Sequence, residues 1–106
     1  MSKSILSTRK ECYLCRKKAA AIGWRYDLPD TGLHRHHIVF GSADRKVSEK
    51  WGVWCWLCEE KHHVYGPEAP HHNREVAEML MRDAQREFEK IHGHDKWMEI
   101  YRRNWL

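Results

Sequence analysis

The chain has 106 residues, of which 32% are charged and 42% hydrophobic, and it carries a formal charge of +4 with its histidines neutral. A chain of this length makes one domain with a marginal hydrophobic core, and the composition excludes a disordered polymer. No apolar run is long enough to cross a bilayer and no signal peptide opens the sequence, so the expectation is a cytoplasmic protein with no membrane partner.

In chain order, residues 1–11 are expected to form a polar arm. Cys12-Tyr13-Leu14-Cys15 has the spacing of a zinc knuckle. Arg9, Lys10, Arg16, Lys17 and Lys18 gather around it, and Arg102 and Arg103 lie near the end. This surplus favours a polyanionic partner, although an ordinary solvated surface accounts for each cluster as well. Residues 19–24 are ambiguous between strand and helix. Residues 27–32 contain Pro29 and Gly32 and predict a turn. Residues 33–39 alternate loosely and predict a strand that runs into the doublet His36-His37. Residues 40–50 form a polar connection, expected as a loop with a short helical turn.

Residues 52–57 are aromatic and β-branched and predict a second strand, which pairs with the first as a long-looped hairpin. Asn73 is the expected N-cap of a helix carrying Val76, Leu80, Ala84, Phe88 and Ile91 at helical spacing, and Gly93 ends it. Trp97, Ile100 and Tyr101 predict a second, shorter helix ending near Asn104. Met79, Met81 and Trp97 are expected to pack in the core. Six tryptophans can fill a core at low residue cost, and a structural metal would support a fold of this size. The fold class is α+β, with one domain over residues 1–106.

Four cysteines with x2 spacing, interleaved with histidine doublets, favour zinc over disulfides. Neither pair stands where a helix would obviously start, which argues against a redox motif. Cys12, Cys15 and Cys58 supply three thiolates of the zinc site. The fourth ligand is Cys55 or His62. The Cys55-x2-Cys58 spacing is the more conventional, but on a regular strand those two side chains face opposite ways, which favours His62.

A strand ending in His36-His37, a connection, a second strand and a Cys/His turn into a helix follow the order of the ββα-metal (His-Me finger) motif. At these residues the sequence resembles the HNH endonuclease family, in particular a small branch common in phages and prophages. The resemblance is carried by the run from Leu33 to Gly52, by Leu57-Cys58 before His62-His63, by His71 with Asn73, and by the terminal Arg103-Asn104-Trp105-Leu106. With Cys12 and Cys15 it covers most of the chain. It divides the domain into a zinc knuckle and ββα core over residues 12–65 and a helical extension over 73–106.

The resemblance implies hydrolysis of DNA phosphodiester bonds with one divalent metal. His37 would be the general base, and His36, on the opposite side of the extended chain, a ligand of the catalytic ion. His63 and His71 would complete that ligand set. Imidazole ligation admits Mg²⁺, Mn²⁺, Ni²⁺ or Zn²⁺. The family pattern also puts a structural-zinc ligand at His62. Arg45 would clamp a phosphate, or else make a surface salt bridge. His72, His92 and His94 are expected to be incidental surface residues. Asp44 stands where this branch often has asparagine, and Asn73 is a distant alternative, so no residue is assigned to orient His37. The implied partner is double-stranded DNA, with phage packaging or recombination proteins as associates in the host cytoplasm. The alternative is a non-catalytic zinc-binding nucleic-acid module. A third possibility is a metal-stabilised interaction domain using a tryptophan-rich surface.

Overall fold

The first helix of the chain begins at a cysteine. In a computed structural model, which describes residues 3–39, 42–59 and 69–106, helix α1 spans Tyr13–Ala21 and Cys12 is its N-cap. The Cys12 Sγ accepts from the backbone N–H of Cys15 at 3.4 Å, filling the role usually taken by Ser or Asp. This corrects the expectation that neither cysteine pair starts a helix. It also resolves residues 19–24: the alanine run 19–21 extends a helix already nucleated upstream. Gly23, at φ +77°, closes that helix, and the Trp24 N–H returns to the Ala19 carbonyl at 2.8 Å.

Strands β1 (Leu33–His37) and β2 (Trp54–Cys58) pair antiparallel, with His36 opposite Cys55 and His37 opposite Trp54. Their connection is not a loop. It holds helix α2, Ser42–Trp51, in which Lys, Glu and Arg favour helix and Ala43, Val47 and Trp51 recur at helical spacing. The N-terminal residues are not a free arm either. Ser4 Oγ donates to the Trp54 carbonyl, and Ser7 Oγ accepts from the Trp56 N–H at 3.1 Å, so residues 4–7 cover the edge of β2 that β1 leaves open. Gly52, at φ +75°, permits this: a Cβ there would lie 2.2 Å from the Lys3 carbonyl oxygen.

Helices α3 (Arg74–His92) and α4 (His94–Tyr101) follow, with Asn73 Oδ1 accepting from the Val76 N–H at 3.2 Å and Gly93 at φ +87° between them. Helix α4 stops at Tyr101 rather than near Asn104, because Arg102 takes the left-handed conformation (φ +59°) and caps it. The inner face of α3 presents Ala77, Leu80, Met81, Ala84 and Phe88 to a core shared with Ile38, Val53, Cys55, Leu57 and Trp97. Met79 packs against that core as expected. Ile91 does not; it is 63% exposed. His92, one turn after Phe88, is at the surface as expected, and its ring lies 5.0 Å from Trp51 and 4.7 Å from Phe88.

The buried Gln85 latches the C-terminal tail. Its Oε1 accepts from the Trp105 N–H at 2.7 Å, and its Nε2 donates to Asn104 Oδ1 at 2.7 Å and Glu89 Oε2 at 2.6 Å. Trp97 Nε1 donates to the Arg103 carbonyl at 2.8 Å beside it. Replacing Gln85 by Leu removes all three bonds at once and takes the acceptor from the Trp105 N–H. Urea denaturation of Gln85→Leu should show a loss of about 2 kcal/mol, with the midpoint lowered and the slope unchanged.

Candidate functional site

Three thiols meet where the N-terminus of α1 approaches the end of β2. The Sγ atoms of Cys12, Cys15 and Cys58 all lie within 4.8 Å of one another, with Cys15 and Cys58 3.9 Å apart. A tetrahedral ion bound at about 2.3 Å sets its sulfurs about 3.8 Å apart, so the cluster could hold a metal such as zinc. Among the described residues it is the only group of three or more metal-capable side chains. Cys55 is fully buried and not part of it. The strand register explains this: Cys55 shares a face with His36, while Cys58, three residues on, faces the other way. His62 and His63 lie outside the described residues.

Burial pushes the Cys12 thiol up. Burial and the neighbouring Cys12 push Cys15 up to about 12. These thiols therefore keep their protons near neutral pH until an ion displaces them. That differs from the lowered pKa of a redox Cys-x2-Cys, even though the pair starts a helix.

The two histidines of the first doublet part company at the end of β1. His36 is buried (2% exposed) opposite Cys55, and its ring meets the exposed His71 edge-on, with centroids 5.4 Å apart. His37 faces the other side of the sheet, where its Nε2 is 2.7 Å from Glu49 Oε2. Arg35, two residues earlier and so on the same face, also pairs with Glu49. Its guanidinium lies 3.9 Å over the Trp54 ring and 5.6 Å over Trp56. Burial raises the Glu49 carboxyl, but the His37 hydrogen bond and the Arg35 charge outweigh it and hold Glu49 below the usual carboxylate range.

Glu49 is the site residue that the sequence reading missed. It stands on α2, one turn after Arg45, and only a helix over 42–51 turns it toward β1. A charged run with good helix formers was the available signal. Arg45 itself is exposed and, among the described residues, makes no salt bridge. Asp44, where the resemblance would have asparagine, is likewise on α2. Among the described residues, no helix is long and apolar enough to cross a membrane.

No protein-family model matches the chain, and no curated protein or solved structure matches it.

Metal analysis of purified variants separates the two candidate cysteine sets. Cys58→Ser should lose stoichiometric zinc and unfold at lower temperature, whereas Cys55→Ala should retain its zinc. Zinc lost equally from both variants would instead mean a four-cysteine site.

Proposed function

We propose that the chain is a metal-dependent DNA endonuclease of the ββα-metal type, with His37 as its general base. The observation that carries this reading is the 2.7 Å contact between His37 Nε2 and Glu49, at the last paired position of β1. An ionised carboxylate can only accept, so the imidazole donates Nε2–H to it. The lone pair is then on Nδ1, on the other side of the ring. That is the arrangement a general base needs: one nitrogen tethered and the other ready for a proton.

In the reaction, water attacks the phosphorus of a scissile phosphodiester. Its proton passes to His37 Nδ1, and the 3′-oxygen leaves. The reading seats that phosphate over the end of β1, between the His36 and His37 side chains. His36 and His71 would hold the divalent ion, with His63 as a further ligand. Two imidazoles sharing one tetrahedral ion at about 2.1 Å have ring centres roughly 5 Å apart, close to the separation seen for His36 and His71. When bound, the ion supplies Lewis-acid stabilisation of charge on the phosphate and the leaving oxygen. Arg45, exposed and one turn before Glu49 on α2, would meet a neighbouring phosphate.

The cysteine cluster serves a different purpose in this account. With His62 as its fourth ligand, a structural zinc ties α1 to β2 and so holds the hairpin. Phosphate contacts from the basic surface would dominate affinity for double-stranded DNA, giving cleavage that is low in sequence specificity and weakened by salt.

Nicking of supercoiled plasmid with Mg²⁺, Mn²⁺ or Ni²⁺ tests the reading. Wild type should cut. His37→Ala should cut roughly 10²–10⁴-fold more slowly with its zinc retained, and Glu49→Ala should lose a smaller factor. Equal cutting by His37→Ala would remove His37 as the base. DNA binding with no cleavage under any of these ions would favour the non-catalytic zinc-binding module.

A further inference from the structure

A cleft runs between residues 6–9 and the C-terminal end of α1. Its lining includes three guanidiniums, those of Arg9, Arg16 and Arg25, and one carboxylate, Glu11, which leaves two net positive charges. Arg16 is committed locally. It pairs with Glu11 and donates from Nη2 to the Tyr26 carbonyl at 3.1 Å, in reach of the Asp27 charge. Among the described residues, neither Arg9 nor Arg25 takes part in a salt bridge. Arg16 thus anchors the segment after α1, and Arg9 and Arg25 are the cations the cleft offers to a ligand. They also offset the carbonyl end of α1, which would otherwise repel an anion.

Trp24 shares this cleft and is held by its backbone bond to Ala19, yet 47% of its surface is open. The Tyr26 ring meets it edge to face at 4.9 Å and is 71% exposed. Large aromatic rings left in water beside guanidiniums outside any salt bridge, Arg9 sharing the Glu11 charge with Arg16, suit one kind of ligand in particular. An unpaired nucleic-acid strand offers both a planar base for the ring and phosphates for the arginines. A duplex keeps its bases inside the stack, and an acidic peptide brings charge without a planar group.

The segment that lines the cleft also borders strand β2. Ser7, in its lining, accepts from the Trp56 N–H, and Lys10 Nζ lies 5.6 Å over the Trp56 ring. Trp56 is followed on the same face by Trp54, both under the Arg35 guanidinium, and Arg35 leads through Glu49 to His37.

We infer that this cleft seats an unpaired stretch of nucleic-acid strand, with a base stacked on Trp24 and its phosphates held by Arg9 and Arg25. The inference rests on the nucleic-acid reading above. It adds a substrate class: DNA with a single-stranded overhang or flap beside the duplex.

Anisotropy titrations of the full chain with labelled oligothymidine, a blunt duplex and a poly-glutamate peptide test it, alongside cleavage of the blunt duplex. Trp24 and Arg25 are exposed, so Trp24→Ala and Arg25→Glu should keep the fold, which circular dichroism verifies. Trp24→Ala should bind oligothymidine about ten-fold more weakly. Arg25→Glu should bind it more weakly and flatten its salt dependence. Blunt-duplex cleavage should be unchanged in both. Wild-type affinity for oligothymidine in both variants overturns the inference, as does no oligothymidine binding by wild type or a preference for the peptide. Trp24-dependent binding in a protein that cuts no DNA would keep the cleft and remove the nuclease. Cleavage of DNA with Trp24-independent binding would do the reverse.

Discussion

Because successive side chains of a strand point to opposite faces, the pairing of His36 with Cys55 and of His37 with Trp54 sends one histidine inward and the next outward. The rest of the molecule is arranged around that division. On the inner side, His36 sits with Cys55 and Leu57 against the core that α3 and α4 complete, and His71 reaches it from the approach to α3. On the outer side, Arg35, His37, Trp54 and Trp56 share a face with the carboxylate of Glu49 laid across it. A slip of one residue in register would exchange the two sets and bury the arginine. The register is thus specified by burial and by chemistry at once.

A two-stranded sheet has little stability of its own, and this one is supported on several sides. Residues 4–7 satisfy the outer edge of β2. The thiol cluster joins that strand to α1, and Tyr13 and Lys17 on α1 both meet Asp83 on α3, each at 2.8 Å. Burial raises the Asp83 carboxyl, but Lys17 and Tyr13 together bring it below its usual range. A metal bound by the cysteines would add its binding energy to folding, which matters in a domain whose core is small.

How far the sequence revealed this varied with the kind of signal. Both strands were legible from alternation and aromatic content, and α3 from Asn73, its apolar period and Gly93. These are local patterns that the tertiary structure did not override. Helix α1 was hidden because a cysteine caps it, and α2 because its apolar series is only three residues long, Ala43, Val47 and Trp51, set among charged ones. The convergence of Cys12, Cys15 and Cys58 followed from spacing and strand parity, and Cys55 was set apart by the same parity. Glu49 was invisible for a compound reason: its contact with His37 exists only once α2 is a helix and β1 stops at His37. The doublet His62-His63 lies outside the described residues, so its place is an expectation from resemblance. The Trp24 cleft had no sequence signature, because it forms between the N-terminal segment and the turn after α1.

The central claim is that Glu49 fixes the His37 imidazole with its proton on Nε2. Long-range ¹H–¹⁵N spectra of the histidine side chains, recorded on wild type and Glu49→Ala at neutral pH, measure this directly. The account predicts that His37 is a single Nε2–H tautomer in wild type. In Glu49→Ala its signals should move toward averaged tautomers, while those of His36, on the opposite face, hold their positions. A wild-type His37 protonated on Nδ1, or one whose spectrum is unchanged without Glu49, would contradict it.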